Sequence, residues 1–498
     1  MSTINHIQRP HRPGVSFSPR EWGPTFTLTM VALTIAAGVV IAIAVHVVGL
    51  YALLAVPGAF LFVAAIIKPD LGLMAFIAIT HTQLSNVLIK HYGLPSIAQP
   101  LAALLGIVII LRITIHGERP LNWGFAAPLL AFYVTALYLS LFAASDYPTA
   151  LETFIGVVKD ILGGVIVILL IQRAPSLRRA LWSIILAAAF MSTISAFQYL
   201  TGTFNDAYGG FGGWVAEYAD SIGRHRLTGP YSNPNAYAQV LVIAIPLALD
   251  RLWHERKTWL RLLATYALIV CTVTIFLTFS RGGFLNLLAT LAVLFLQHRP
   301  RLFSLAVTLA LAVGLLQFVP PTYFERISTL FQLTPAHSSV VTDPSFRGRL
   351  SENTAAWLMF RDHPLTGVGL GNYRLHYLDY SRRIGLDPRR KARSPASLYL
   401  EILAEQGIFG IITFTLLMFF VFRGIREAAQ RFAASGMRDE ANMCLALFAG
   451  LAGYMLAAVV KNSAYANMFW VLIGVALGAS QVARAHLLNT RDSLATGE

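Results

Sequence analysis

Four stretches of this sequence hold polar residues whose types and spacing suit the binding of an anion or the activation of a hydroxyl. The first is Arg226-Leu-Thr-Gly229-Pro-Tyr-Ser-Asn233-Pro234-Asn235. Asn-Pro-Asn starts a helix: Asn233 or Asn235 serves as the cap, and Pro234 suits the first turn. The free N–H groups of such a turn can hold an anion beside Arg226, or the turn is a plain capped start. The second is Thr278-Phe-Ser280-Arg281-Gly282-Gly283, a lone arginine between two apolar runs. An arginine at membrane depth is costly and faces a cavity or a partner unless it snorkels to the interface. The two glycines permit close approach of a backbone or a ligand.

The third stretch runs from Arg347 and Arg349 through Arg361, His363 and Pro364 to Gly367-Val-Gly369-Leu-Gly371-Asn372. Apolar residues recur at helical spacing from about 349 to 361, so a surface helix is expected there, ended by Pro364. The Gly-x-Gly-x-Gly that follows has no strand before it and fails the context of a nucleotide-binding loop. The fourth stretch is Ser394-Pro-Ala396-Ser397-Leu-Tyr-Leu-Glu401-Ile-Leu-Ala-Glu405-Gln-Gly407. Glu401 and Glu405 lie four apart and share one helix face. They could hold a cation or act on a hydroxyl, or simply form a polar helix end.

The elements that carry these stretches are membrane helices. Of the 498 residues 56% are hydrophobic and only 12% charged, about half the charge of a soluble domain. This composition excludes a disordered, collagen-like or soluble nucleic-acid-binding protein. The apolar residues come in runs of bilayer-spanning length. Fourteen spans are read at about 26–46, 48–67, 71–89, 97–115, 123–144, 150–172, 179–200, 234–250, 259–279, 283–297, 302–319, 398–422, 441–460 and 465–484. The third has a polar end at Gln83, Ser85 and Asn86 and is either a span or re-entrant; the tenth is short.

Lys and Arg mark the cytoplasmic side of a membrane protein. With the N-terminus inside, every inside connection carries at least one, from Lys68 to Arg491. The order of parts is then a cytoplasmic tail over 1–25, helices over 26–319 with an outer loop at 201–233, a large external loop at 320–397, helices over 398–484 and a cytoplasmic tail over 485–498. No signal peptide is read in the polar N-terminus. The formal charge is +14, and the 320–397 loop breaks the pattern, with eleven of the 38 Lys and Arg against six acids. Nearly all are arginine, whose fork suits phosphate, so that loop reads as an external surface for an anionic ligand, or as a plain solvated loop.

Other residues say less. Lys159 and Asp160 fall inside one span and are functional candidates by default, or a structural interhelical pair. Cys271 and Cys444 lie in apolar runs and form no disulfide framework. No His-x-x-x-His or Cys-x-x-Cys spacing exists, and neither a metal site nor a cofactor is expected.

In combination the four stretches resemble the O-antigen ligase and O-antigen polymerase superfamily of bacterial polysaccharide enzymes. The resemblance rests on Arg226 with Asn233-Pro234-Asn235, on Ser280-Arg281-Gly282-Gly283, on His363-Pro364-Leu365-x-Gly367-Val368-Gly369-x-Gly371-Asn372, and on the run from Ser397 to Gly407. It spans about 220–420. It implies an all-α polytopic, GT-C-like protein of the bacterial cytoplasmic (inner) membrane, with its site facing the periplasm. It implies transfer of a glycan from undecaprenyl pyrophosphate to an acceptor hydroxyl. That acceptor is another lipid-linked glycan in a polymerase, the reading favoured here, or lipid A-core or protein in a ligase. The partners are then the lipid-linked donor, the glycan or lipid-linked acceptor and membrane lipids, with no nucleic acid. Arg226, Arg281, Arg347 and Arg349, with Asn235, are the expected pyrophosphate-binding residues. Fixed cations stabilise such a leaving group without a metal.

One position departs from the family pattern. Counting back from Gly407 places Ala396 where the family has its His, the residue that serves as base or orients the acceptor. Alanine does neither. The expectation is an inactivated or engineered chain, with Glu401, His363 and His376 as the residues able to stand in. A lipid-linked oligosaccharide flippase is the rival class, but no internal repeat or mid-membrane helix break is evident. A passive scaffold would leave Arg281 beside two glycines unexplained.

Overall fold

The computed structural model describes residues 63–115, 117, 126–219, 222–297, 344–386, 391–463 and 465–496. The expected tail 1–25, the spans at 26–46 and 302–319, and most of that at 48–67 lie outside the described residues. So does the first part of the 320–397 loop.

The chain is an all-α polytopic membrane protein. In order come α1 (Pro69–His81), α2 (Leu84–Tyr92), α3 (Ala98–Ile115), α4 (Ala126–Ser140), α5 (Tyr147–Leu170) and α6 (Ala174–Thr201). A hairpin of β1 (Trp214–Ala219) and β2 (Ile222–Leu227) follows. Then come α7 (Pro234–His254), α8 (Thr258–Leu277), α9 (Arg281–Gln297), α10 (Pro344–Asp362) and α11 (Tyr373–Ile384). The last three are α12 (Leu398–Ala434), α13 (Arg438–Ala457) and α14 (Asn467–Thr496). Among the described residues nine helices are long and apolar enough to cross a membrane.

Three elements depart from a simple reading of the apolar runs. The expected span 71–89 is broken: α1 and α2 meet at a 56° bend, with Gln83 in left-handed backbone at φ 58°. The polar residues Gln83, Ser85 and Asn86 sit at that break, where Gln83 Nε2 donates to Asn467 Oδ1 at 2.9 Å and Ser85 Oγ accepts from Ala98 N. The 201–233 connection contains the antiparallel hairpin, with Val215 opposite Arg226. Helix α12 is broken at Gly407 (φ 65°, ψ −156°), so a short helix from Leu398 precedes the membrane span proper.

The helices pack through small residues, as membrane helices do. A Cβ on Gly164 of α5 would sit 2.6 Å from the carbonyl oxygen of Trp470 on α14, and one on Gly474 would sit 2.5 Å from that of Gly164. The two ends of the bundle differ. At one end, acids and bases pair between helices. Arg251 of α7 binds Asp250 (2.6 Å) and Asp439 (2.8 Å), Arg178 of α6 binds Asp439 (2.8 Å) and Glu255, and Arg179 binds Asp70. These arginines fall at connections read from the sequence as facing the cytoplasm. At the opposite end lie the hairpin, α10, α11 and the four motif stretches.

Candidate functional site

At the motif end, the hairpin delivers Arg226 to the start of α7 and the turn between α8 and α9. Arg226 Nε donates to the Thr278 carbonyl at 3.0 Å, and Nη2 approaches Asn235 Oδ1 at 3.5 Å. The Ser280 hydroxyl donates to the same Asn235 oxygen at 2.7 Å. Asn235 therefore joins the first two motif stretches, and its acceptor atom is committed to them.

Both helix starts are capped from within. Asn233 Oδ1 accepts from Asn235 N (2.9 Å) and Ala236 N (3.2 Å), and Ser280 Oγ accepts from Gly283 N (3.0 Å). Of the two readings of the α7 start, the geometry shows the capped one, with Asn233 taking two of its N–H groups. The helix dipoles remain. The positive ends of α7 and α9 abut through Asn235 and Ser280, and their field favours negative charge nearby. Close contact is enforced at Gly283, where a Cβ would lie 2.7 Å from Ala238 Cβ. The turn bends through Phe279, a non-glycine residue in left-handed backbone at φ 48°. Such a conformation is uncommon and costs energy, so the surroundings hold it in place. Arg281 is the first residue of α9.

The connection between α13 and α14 brings the fourth stretch to this place. Leu398 N donates to the Ala458 carbonyl at 2.9 Å, Gln239 Nε2 of α7 donates to Ser463 Oγ at 3.2 Å, and Val460 lies against Gly282. Lys461 sits in this connection. Its environment is set by burial first, which lowers its pKa, and then by Glu401, Arg349 and Glu352. Glu352 also pairs with Arg393 at 2.8 Å. Ala396 is buried between Arg393 and the start of α12, beside Ser397, and Glu401 is buried one turn further on.

The sequence candidates thus fall into groups. Arg226, Asn235 and the Ser280–Arg281 turn form one group, and Ala396, Glu401 and Arg349 another, and the 458–463 connection touches both. Arg347 precedes Arg349 by two residues on α10, which turns them about 200° apart. They approach their surroundings from different sides. His363 is exposed at the end of α10, and its ring influences that of His376. His376 has a pKa lowered by burial and by His363, and lies 3.2 Å from Ser145 Oγ. This corner belongs to α5, α10 and α11.

Glu405 has a different job from Glu401. Its carboxyl accepts from Gly371 N (2.9 Å), Tyr373 N (3.2 Å) and Tyr465 Oη (2.6 Å). The glycine loop is clamped on it. Val368 N donates to the Ala404 carbonyl and Ile408 N to the Pro364 carbonyl, both at 2.8 Å. A Cβ on Gly367 would strike the Glu405 backbone, and one on Gly407 would strike the Leu365 carbonyl. Asn372 Oδ1 accepts from Asp146 N at 2.8 Å and pins the far side of the loop to the start of α5. The third and fourth motif stretches are two halves of one joint that fixes where α12 begins.

Two changes test this joint. Glu405→Gln places an amide NH₂ opposite a backbone N–H or a hydroxyl donor, whichever way it turns, and should cost about 1–3 kcal/mol of stability. Gly407→Ala adds roughly 1–3 kcal/mol of backbone strain, before the collision with Leu365. Both should lower the melting temperature of the detergent-solubilised protein. An unchanged melting temperature for Gly407→Ala would mean that the break is not required.

Lys461 was missed in the sequence, although a signal existed. It is a lone base in a short connection at the motif end, the same pattern that singled out Arg281.

Residues 266–415 match the model of the O-antigen ligase family. The match covers about a third of the chain and supports an O-antigen ligase and polymerase superfamily assignment. The family segment begins within α8 and ends within α12, so it contains Arg281, Arg347, Arg349, His363, Ala396 and Glu401. Arg226, Asn235 and Lys461 lie outside it and meet it only in the folded protein. No curated protein sequence matches the chain. The match supports an O-antigen ligase-type function.

Proposed function

We propose that the protein transfers a glycan from undecaprenyl pyrophosphate to an acceptor hydroxyl at the outer face of the bacterial inner membrane. The acceptor in this reading is the end of another lipid-linked glycan, so that the reaction lengthens a polysaccharide. The observation that carries the proposal is the convergence of Arg226 and the Ser280–Arg281 turn with the capped starts of α7 and α9. Fixed arginines and two helix N-termini on one side make a preorganised cation field for a pyrophosphate leaving group. Lys461 and Arg349 extend it across the 458–463 connection. No step in this reading uses a metal or a cofactor.

The reaction breaks the bond between the anomeric carbon of the donor sugar and its phosphate oxygen, and forms one to the acceptor oxygen. The acceptor proton must leave, and the pyrophosphate departs as an anion held by the arginines. With Ala396 at the position of the family His, this chain is proposed to bind donor and turn over slowly or not at all. Glu401, whose charge acts on Lys461, is the carboxylate proposed to take the proton, with His363 and His376 farther along the joint.

The family description names a ligase, and this favours a second acceptor, lipid A-core. A transfer assay in nanodiscs with a defined lipid-linked repeat unit, with and without lipid A-core, separates the two. Chain growth without core supports the polymerase. Product only with core supports the ligase, and no product with either, even after Ala396→His, overturns transfer.

Lys461 should contribute to donor binding as a cation. Lys461→Ala should weaken binding of undecaprenyl pyrophosphate severalfold in microscale thermophoresis, and Lys461→Arg should preserve most of it. Because burial lowers the Lys461 pKa, this contribution should fade on the alkaline side at a lower pH than for an exposed lysine. Orientation has its own test. A cysteine probe at Gly385 should be labelled from outside, and one at Ser435 should not. The reverse would put the arginines in the wrong compartment.

A further inference from the structure

Helix α10 and the loop after it expose large apolar side chains that the proposed chemistry does not use. Leu350 and Trp357, seven residues apart and so on one helix face, are 44% and 52% exposed, and Leu365 just beyond the helix is 60% exposed. The place of Leu365 is fixed by its neighbour, since the Pro364 carbonyl accepts from Ile408 N at 2.8 Å. That bond sets Leu365 beside the first turn of the membrane span that follows the Gly407 break.

The outward stripe of that span is apolar. Phe409, Ile412, Leu416 and Phe419 recur at helical spacing and are 46%, 47%, 39% and 56% exposed. In a membrane helix with its other faces packed, such a stripe meets lipid. Phe409 stands at its head, and the Leu365 backbone lies against Gly407, two residues before it. An exposed polar loop at the end of a span normally turns to water. This one carries a leucine outward, followed back along the chain by Trp357 with its ring 5.5 Å from that of Phe360. Tryptophan is enriched at the boundary of headgroups and acyl chains. A helix with such a face lies on the lipid surface, with its apolar side sunk to the acyl boundary.

We infer that the face of α10 bearing Leu350 and Trp357, together with Leu365, is seated on the phospholipid surface of the membrane at the motif end. The helix that carries Arg349 is thereby held at the depth of a lipid headgroup. The opposite face of α10 is already occupied, with Ala355, Ala356 and Met359 buried against Tyr373, Tyr377 and Ala404. The exposed face is therefore the one left for lipid.

Site-directed spin labelling in phosphatidylcholine–phosphatidylglycerol nanodiscs tests this. Cys271 and Cys444 are both buried, so an introduced cysteine is the accessible one. Nitroxides are placed in separate variants, Trp357→Cys, Leu365→Cys, Phe419→Cys as the lipid reference and Asp379→Cys as the water reference. Power saturation compares oxygen, which concentrates in lipid, with a water-soluble nickel chelate. The ratio of oxygen to chelate accessibility at 357 and 365 should lie severalfold above that at 379 and approach that at 419. Chelate-dominated accessibility at 357 and 365 would overturn the inference, and so would exclusion of both reagents, which would mean that protein covers the face. If Trp357→Cys does not fold, Leu350→Cys replaces it on the same face.

Discussion

Ala396→His should raise glycan transfer by roughly 10²–10⁴, the usual worth of a positioned general base. Ala396 lies directly before Ser397 and the start of α12, inside the region shared by Arg393, Glu401 and the 458–463 connection. A helix N-terminus disfavours the imidazolium, so a His there would stay neutral and able to accept a proton near working pH. Ala396 is 9% exposed, so its neighbours must shift to make room for the ring. Transfer from lipid-linked donor, measured side by side for the two chains, decides the matter. Equal and robust activity in both would mean that the base lies elsewhere, and Glu401→Gln would then be the next variant. Loss of activity in Glu401→Gln with no gain in Ala396→His would assign the role to Glu401.

The second large effect is expected at Arg281. In an Ala396→His background, Arg281→Ala should lower transfer by tens- to thousands-fold, in line with about 2–5 kcal/mol for a desolvated charge contact. Arg281→Lys keeps the charge and loses the two-pronged fork, so it should fall between the two. Arg226→Ala should cost less selectively. It also removes the hydrogen bonds to Thr278 and Asn235, and its melting temperature should fall along with its rate. A wild-type rate for Arg281→Ala would refute its role in holding the leaving group. A normal rate in Arg226→Ala with a lowered melting temperature would make that arginine a structural tie alone.

Much of the architecture was readable from one-dimensional patterns, because the bilayer imposes a length and a composition on each span. That is why nine of the expected spans reappear among the described residues as long apolar helices. It is also why a lone Arg281 beside two glycines stood out. A charge between apolar runs has few places to go, and the physics of that cost acts locally. The helix cap at Asn233 and the end of α10 before Pro364 were legible for the same reason, since caps and prolines act within one turn.

Only the tertiary structure decided how the four stretches divide their labour. Glu401 and Glu405 look alike in sequence, four apart on one helix. Folding commits Glu405 to the N–H groups of Gly371 and Tyr373 and leaves Glu401 beside Lys461. The three glycines of the Gly367–Gly371 loop resemble a ligand-binding loop in sequence, yet they are there because Ala144, Thr153 and the Glu405 backbone leave no room for a Cβ. Lys461 lies more than fifty residues from the nearest motif stretch and gained its place through the Ala458 carbonyl and Val460. The hairpin that aims Arg226 depends on strand register, and the breaks at Gln83 and Gly407 depend on what packs beside them. Composition and local cost are properties of a segment and can be read from it. A contact between distant segments is fixed by packing and hydrogen bonding that exist only once both are in place.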